Sequence, residues 1–193
     1  MSELEQAVRE KRLVRIRRVS TFMKWAVTIV VALILVLAVV VTIGISMPND
    51  LMLGSEETID VGDYERALGD VPQAQRIGLA LIFAAAHVML AIATLHIRAV
   101  FLHFQKMEFF SPKALSNVIS FGIWLIAFAV FDLLGDPIAS VILTADLPEG
   151  QRSLELALNG DEIFFLVFGG LMLLFGWILR EAALIADENR QFV

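Results

Sequence analysis

The sequence predicts an all-α integral membrane protein in which four transmembrane helices form one bundle and both termini lie in the cytoplasm. Composition is the first observation: 58% of the 193 residues are hydrophobic and 19% are charged. Soluble domains typically have about 45–50% apolar residues and about 25% charged residues. The apolar residues also form four blocks separated by short charged stretches, which is typical of membrane spans. Finally, most lysine and arginine residues lie on one predicted side of these blocks.

The first span is predicted at residues 22–46. This block holds a single charge, Lys24, and is longer than the apolar region of a secretory signal peptide, about 7–15 residues. It is followed by Met47-Pro48-Asn49-Asp50, where proline stops a helix. Since about 20 apolar residues cross a hydrocarbon core of about 30 Å, we interpret the block as a retained membrane helix.

Three further spans are predicted at residues 77–101, 114–143 and 162–184. Ser111-Pro112 has the pattern of an N-cap followed by proline in the first helical turn, which predicts that the third helix begins there. Asp136-Pro137 interrupts the third block, because proline removes a backbone donor and crowds the preceding turn. We therefore expect the third helix to end or kink near Pro137, with residues 138–144 as a bent extension.

The distribution of lysine and arginine predicts the orientation. Residues 1–24 hold seven of them, residues 98–113 hold three and the C-terminal tail holds two. The segments 47–76 and 145–160 hold only three together, and both are acidic. Cytoplasmic segments are enriched in these cations, so residues 1–21 and 185–193 are placed inside and the two acidic loops outside. No polar interval is long enough to fold independently, and residues 1–193 therefore form one membrane domain.

Catalytic and cofactor chemistry is not predicted. Cysteine is absent, which excludes disulfides, thiolate catalysis and cysteine-ligated metals. We find no nucleophile–base pair and no phosphate-binding loop. His87, His96 and His103 are spaced so that no two of them share one helical face within one turn, and they cannot chelate a metal or ligate haem as a pair. We expect no enzyme activity and no cofactor.

Two ionisable residues at membrane depth are the candidate polar positions inside the bundle. His87 lies in the second span, and Asp132 lies about 18 residues above the cytoplasmic start of the third helix. We expect His87 to be hydrogen-bonded to a neighbouring helix and Asp132 to form a cap or an interfacial ion pair. In the alternative interpretation both are polar stations of a transport pathway, which four short spans provide only as an oligomer.

Small residues predict close helix packing. The fourth block carries Gly169, Gly170 and Gly176, and the second carries Ala80, Ala84 and Ala91. Such residues let helix backbones approach one another, or seat an external transmembrane partner.

The basic segment at residues 1–21 has three interpretations. It attracts anionic lipid, worth about 1 kcal/mol for each basic residue near the surface. It binds an acidic protein partner, or it only holds the N-terminus inside. Direct binding of nucleic acid is not predicted, because no fold here presents the charges to a groove.

Two short motifs lie on the side predicted to be cytoplasmic. Phe110-Ser111-Pro112 precedes the third span, and Glu188-Asn189-Arg190-Gln191-Phe192-Val193 ends the sequence. Both resemble elements of an uncharacterised bacterial four-span membrane family, catalogued as domain of unknown function 2975, over a layout of residues 20–193. The chain departs from that pattern at Met107-Glu108, where a glycine often stands.

The resemblance implies a multi-pass protein of the bacterial inner membrane. Members are often encoded beside a small helix-turn-helix regulator, which implies a membrane sensor that binds or sequesters such a regulator. The candidate docking residues are Phe110, Ser111, Pro112, Glu188, Asn189 and Phe192. The alternatives are an accessory subunit of a larger membrane complex and a small oligomeric transporter or channel. Expected partners are the lipid bilayer and a soluble regulator or another membrane subunit, with a second copy of the chain for the transporter.

Overall fold

The computed structural model describes residues 3–48, 54, 56–61, 64–149, 152, 154 and 160–191. These residues form α1 Glu3–Ser46, β1 Thr58–Val61, β2 Tyr64–Ala67, α2 Gln73–Gln105, α3 Pro112–Thr144 and α4 Gly160–Gln191, with a short 3-10 helix at Leu68–Asp70. All four α-helices are long and apolar enough to cross a membrane, which confirms the four predicted membrane helices.

Helix α1 is much longer than the predicted first span. The prediction began at residue 22, whereas the helix begins at Glu3 and contains 44 residues. At about 1.5 Å per residue its length is about 66 Å, roughly twice the hydrocarbon core. The basic segment is therefore a continuous extension of the span. Its many arginine, lysine, glutamate and leucine residues have high helix propensity, and its first glycine is Gly44.

Helix α3 begins as predicted and runs through Pro137, where an end or a kink was expected. The Ala114 amide donates to Ser111 Oγ at 3.2 Å, so Ser111 is the N-cap and Pro112 is the first helical residue. The helix passes through Pro137 and continues to Thr144. An end at Pro137 was therefore wrong, and the extension over residues 138–144 is confirmed. Ser140, whose side chain is buried, donates its hydroxyl to the Pro137 carbonyl at 2.8 Å, so this polar group is satisfied within the helix.

A β-hairpin, not predicted from the sequence, lies between α1 and α2. Its strands are antiparallel, with Thr58 opposite Ala67 and Val61 opposite Tyr64. Each strand has only four residues. The hairpin is the one departure from an all-helical fold among the described residues.

The chain divides into two compact units, with each boundary inside a helix. The cationic unit comprises Met1–Ala32, Ile92–Leu125 and Val167–Val193, and the acidic unit comprises Leu33–Ala91 and Ile126–Leu166. The first contains twelve Lys and Arg against seven Asp and Glu, a net charge of +5. The second contains three against fourteen, a net charge of −11, and together these give the −6 of the whole chain.

In the cationic unit, glycine allows backbone contact between α3 and α4. A Cβ atom added at Gly122 would lie 2.7 Å from both the Gly169 carbonyl oxygen and the Leu173 amide nitrogen. A Cβ at Gly176 would lie 2.5 Å from a side-chain carbon of Ile119, whereas one at Gly170 would meet nothing within 4 Å. Close packing is therefore confirmed at Gly169 and Gly176 and is wrong for Gly170.

In the acidic unit, the hairpin and the helix ends pack on a small hydrophobic core. The buried members of this core are Val71, Leu79 and Leu143, and the partly buried residues packed on them are Ile45, Ile59, Ala139 and Ile142. The core joins residues from α1, β1, α2 and α3.

Arg66 of the hairpin binds the segment that follows α3. Its guanidinium donates to both carboxylate oxygens of Asp146 at 2.7 Å, and to the carbonyls of Leu143 and Asp70 at 2.7 and 2.8 Å. Gln75 donates to the same Asp146 carboxylate at 3.0 Å. The hydrogen bonds from Arg66 hold the pKa of the Asp146 carboxyl well below its ordinary value. We call Arg66, Gln75 and Asp146 the hairpin clamp.

Candidate functional site

A cavity in the acidic unit brings together the two polar residues that the sequence placed at membrane depth. Its volume is about 340 Å³, within the range of small-molecule sites. His87 comes from α2, and Asp132 and Asp136 come from α3. The other lining residues are apolar: Ile45, Ile59, Leu79, Ile82, Phe83, Ala86, Leu90, Phe128, Phe131, Gly135 and Ala139. The site is therefore an apolar chamber with three ionisable side chains on its wall.

The position of His87 is fixed by its own helix. Nδ1 lies 3.0 Å from the Phe83 carbonyl oxygen, and since a carbonyl only accepts, Nδ1 carries the proton. The imidazole also stacks on the Phe83 ring, with centroids 3.9 Å apart and planes 30° apart. The expected hydrogen bond to a neighbouring helix is therefore replaced by a bond one turn back along α2. In the neutral ring Nε2 is the hydrogen-bond acceptor.

Asp132 has an acidic environment. The titratable groups that act on its carboxyl are Asp136, Asp161, Glu162 and the His87 imidazole. The side chain is half-buried and makes no hydrogen bond or ion pair with any residue in the described part of the chain. The expected cap or interfacial ion pair is therefore not formed within the described part of the chain. A carboxyl group at membrane depth is costly without a partner, and such positions usually have a functional role.

In the cationic unit, hydrogen bonds join residues 24–28 of α1 to α2. Lys24 Nζ donates to Gln105 Oε1 at 3.2 Å, and Arg98 Nε donates to the Thr28 hydroxyl at 2.8 Å. Arg17 lines a surface cleft together with Leu102, Gln105, Lys106 and Met107. Two of the three segments predicted to dock a partner, the basic segment and the loop after α2, are therefore adjacent.

The loop between α2 and α3 is held by side-chain contacts. His103 Nδ1 lies 2.8 Å from Glu108 Oε2, and this hydrogen bond lowers the pKa of the Glu108 carboxyl. The Ser111 hydroxyl donates to the Glu108 carbonyl at 3.2 Å. Met107 has φ 64°, in the left-handed region that favours glycine. This is the segment where the resembled family often has glycine.

The candidate docking residues have different environments. Phe110 is 63% exposed, and Pro112, Glu188 and Asn189 are also exposed. Ser111 is half-buried and caps α3, so the structure gives it a clear folding role. Phe192 lies outside the described residues. The five described docking residues all belong to the cationic unit.

Within the described residues, no three His, Asp or Glu side chains are grouped so that they could hold a metal ion. Comparison of the chain with protein-family models, curated proteins and solved structures gives no match. The resemblance to the four-span family therefore stays a prediction. The cavity and the hairpin clamp were both missed from the sequence, because each joins residues that lie far apart in it.

Proposed function

We propose that this chain is a non-enzymatic, multi-pass protein of a bacterial inner membrane that binds a soluble regulator through its cationic unit. The length and charge of α1 carry this proposal. The helix has 44 residues, whereas a span needs about 20, and residues 3–21 extend it with exposed cations. The exposed cations described on this extension are Lys11, Arg12, Arg15, Arg17 and Arg18.

The orientation we propose places both termini in the cytoplasm. Twelve of the fifteen lysine and arginine residues belong to the cationic unit, and such residues are retained on the cytoplasmic side. The extension of α1, the loop after α2 and the end of α4 then face the compartment that contains soluble regulators.

The surface chemistry favours a protein partner with acidic groups. On the extension, Val14, Ile16 and Val19 are 57%, 40% and 53% exposed between the arginines. The loop adds the exposed aromatic ring of Phe110. Arginine and aromatic residues are enriched at protein interfaces, and opposite charge on the partner would speed its association. The resemblance adds a candidate, a small helix-turn-helix regulator held at the membrane.

Site-specific photocrosslinking in living cells tests this proposal. A photoreactive phenylalanine analogue replaces Phe110, and in a matched strain it replaces Phe164, which is 60% exposed in the acidic unit. We expect a covalent adduct with a soluble protein from position 110 and none from position 164. Replacing Arg15 and Arg17 by glutamine should weaken the adduct at 110, while Arg180→Gln should leave it unchanged. Five basic residues remain in segment 1–24, which preserves the orientation.

Three results would contradict the docking proposal. They are equal adducts from both positions, lipid adducts alone from position 110, and an adduct that persists in the double glutamine variant.

A second candidate is an accessory subunit that contacts another membrane protein through α4. Gly170 favours it, because a Cβ built there would meet no atom within 4 Å beyond the adjoining part of its own helix, and a partner helix can approach closely. A larger species on a native gel that is lost in Gly170→Leu would support this assignment. A single species of about the 21.4 kDa chain mass plus detergent would oppose it.

A further inference from the structure

We infer that the cavity of the acidic unit is a binding site for an organic monocation with an apolar body, such as a quaternary ammonium compound or a protonated amine. The inference concerns a different unit from the proposed docking surface, and it stands whether or not a regulator binds there. Three properties of the cavity wall support it: its charge, its aromatic and aliphatic surface, and its volume.

The charge on the cavity wall is acidic. Asp132 and Asp136 line the cavity, and none of its lining residues is lysine or arginine. Asp132 is half-buried and has no hydrogen-bond or ion-pair partner in the described part of the chain. A carboxylate partly removed from water is destabilised unless an opposite charge lies beside it. A cationic ligand would provide that charge.

The rest of the wall favours an organic ligand over a hydrated metal ion. Phe83, Phe128 and Phe131 present aromatic rings, whose faces attract ammonium groups. Ile82 and Leu90 add aliphatic surface that excludes water and would pack on the body of the ligand. Carbon walls cannot replace the hydration shell of an inorganic cation.

His87 gives the site a second polar contact. Because Nδ1 donates to the Phe83 carbonyl, the neutral imidazole has its acceptor lone pair at Nε2. A protonated amine could donate to this nitrogen, whereas a quaternary ammonium group could not. The volume of about 340 Å³ is at the lower end of the range for small-molecule sites, so the ligand is compact.

A second groove of the same unit provides an internal comparison. It is lined by Leu35, Ala38, Val39, Thr42, Ile43, Ala84 and Val88, and contains no ionisable side chain. Such a groove suits the acyl chain of a lipid. A charged ligand should therefore discriminate between the two, and a neutral ligand of the same shape should not.

Equilibrium dialysis with the full chain in nanodiscs of uncharged phosphatidylcholine tests the inference. The probe is radiolabelled benzyltrimethylammonium, whose charge does not change with pH. We expect saturable binding, and competition by neopentylbenzene, the neutral compound of the same shape, at least about tenfold weaker. Asp132→Asn should weaken binding of the probe by about tenfold or more, because it removes the charge and keeps the shape.

Two further variants separate binding from folding. Asp161→Asn removes an exposed carboxylate that acts on Asp132 electrostatically and does not line the cavity, and it should change affinity less than threefold. Asp132→Glu keeps the charge and should retain most of the binding. The inference is overturned if the probe does not bind saturably, if the neutral compound competes equally, or if Asp132→Asn binds as tightly as Asp161→Asn.

Discussion

The cationic unit and the acidic unit contain segments of the same four helices, but the polar side chains on these helices make different contacts in the two units. In the cationic unit, polar side chains bind one another between helices, as in the pair of His96 Nδ1 and Asn117 Oδ1 at 2.9 Å. In the acidic unit, Asp132 lines a cavity and has no such bond in the described part of the chain. The comparison teaches that one set of helices can provide a closely packed region and a region that contains a cavity.

The two units also differ in how closely their helices pack. The cationic unit brings the backbones of α3 and α4 together at Gly122 and Gly169, where no side chain fits between them. In the acidic unit, Gly135 lines the cavity and a Cβ built there would make an ordinary contact of 3.6 Å with Ile82. Close contact leaves no room for a ligand, while a cavity loses packing energy unless one enters.

The largest expected effect concerns the orientation of the two units. The chain has no cysteine, so each introduced cysteine is a unique label. Lys11→Cys in the cationic unit and Glu149→Cys in the acidic unit both replace exposed residues. The distribution of lysine and arginine predicts that the cationic unit is cytoplasmic. A membrane-impermeant maleimide should then label position 149 in intact cells and position 11 only after the cells are opened. Labelling of position 11 in intact cells would refute the cytoplasmic docking surface.

The next largest effect tests the close packing of the cationic unit. Gly122→Ala forces a Cβ to within 2.7 Å of two backbone atoms of α4, and we expect a loss of about 2–3 kcal/mol in stability. Gly170→Ala is the matched control, since its Cβ meets nothing within 4 Å and alanine has the higher helix propensity. Thermal unfolding in detergent, followed by circular dichroism, measures the stability of both variants. Equal midpoints would show that α3 and α4 do not depend on this contact.

Sequence reasoning found the four helices because membrane spans have a strong, local signal. The predicted spans are shorter than the helices that contain them: residues 77–101 were predicted for the second span, while α2 runs from Gln73 to Gln105. Hydropathy detects only the apolar segment of a helix. Flanking polar residues with high helix propensity extend the helix beyond that segment. Caps are also local, and Ser111 was found for that reason.

The remaining features depend on contacts that no local pattern contains. Asp132 and His87 were chosen separately as intramembrane ionisable residues, and only the fold puts them on one cavity. Arg66 and Asp146 are 80 residues apart, and neither has an unusual neighbourhood in the sequence. The hairpin has four-residue strands, too short for their alternation to stand out between two strong membrane blocks.

A smaller effect is expected at the hairpin clamp of the acidic unit. Arg66→Met removes four hydrogen bonds and should destabilise the hairpin locally by about 1 kcal/mol, because the ion pair is only partly shielded from water. Amide hydrogen exchange over residues 58–67 should then be roughly fivefold faster. Arg152→Met, which removes one bond to the Leu147 carbonyl, is the control and should leave this exchange unchanged.

The clamp also has a defined pH dependence. The pKa of Asp146 is lower in the folded protein than in the unfolded chain, so the unfolded state binds the proton more readily. The stabilisation is therefore complete above the ordinary aspartate pKa of about 4 and is lost as pH falls through the lowered value. The stability difference between wild type and Arg66→Met should be largest at neutral pH and decrease only in strong acid, where the bonds from Arg66 to the Leu143 and Asp70 carbonyls remain. A decrease already near pH 6 would assign the pH-dependent part to another group.

The smallest effect concerns the turn between α2 and α3 in the cationic unit. Met107 has φ 64°, where a residue with a Cβ atom is strained by about 1–2 kcal/mol and glycine is not. Met107→Gly removes this strain, but it also gives the unfolded chain more freedom and removes a side chain that lines the cleft beside Arg17. We expect a net gain of at most about 1 kcal/mol.

Met107→Val is the informative counterpart, because a β-branched residue tolerates the left-handed region least and should lower the unfolding midpoint. If valine proves as stable as glycine, backbone strain does not govern this turn. If the unfolding midpoint is higher with glycine than with methionine and lower with valine, the cationic unit keeps a strained turn next to its proposed docking surface. That result would also give a physical reason why the resembled family often has glycine at this segment.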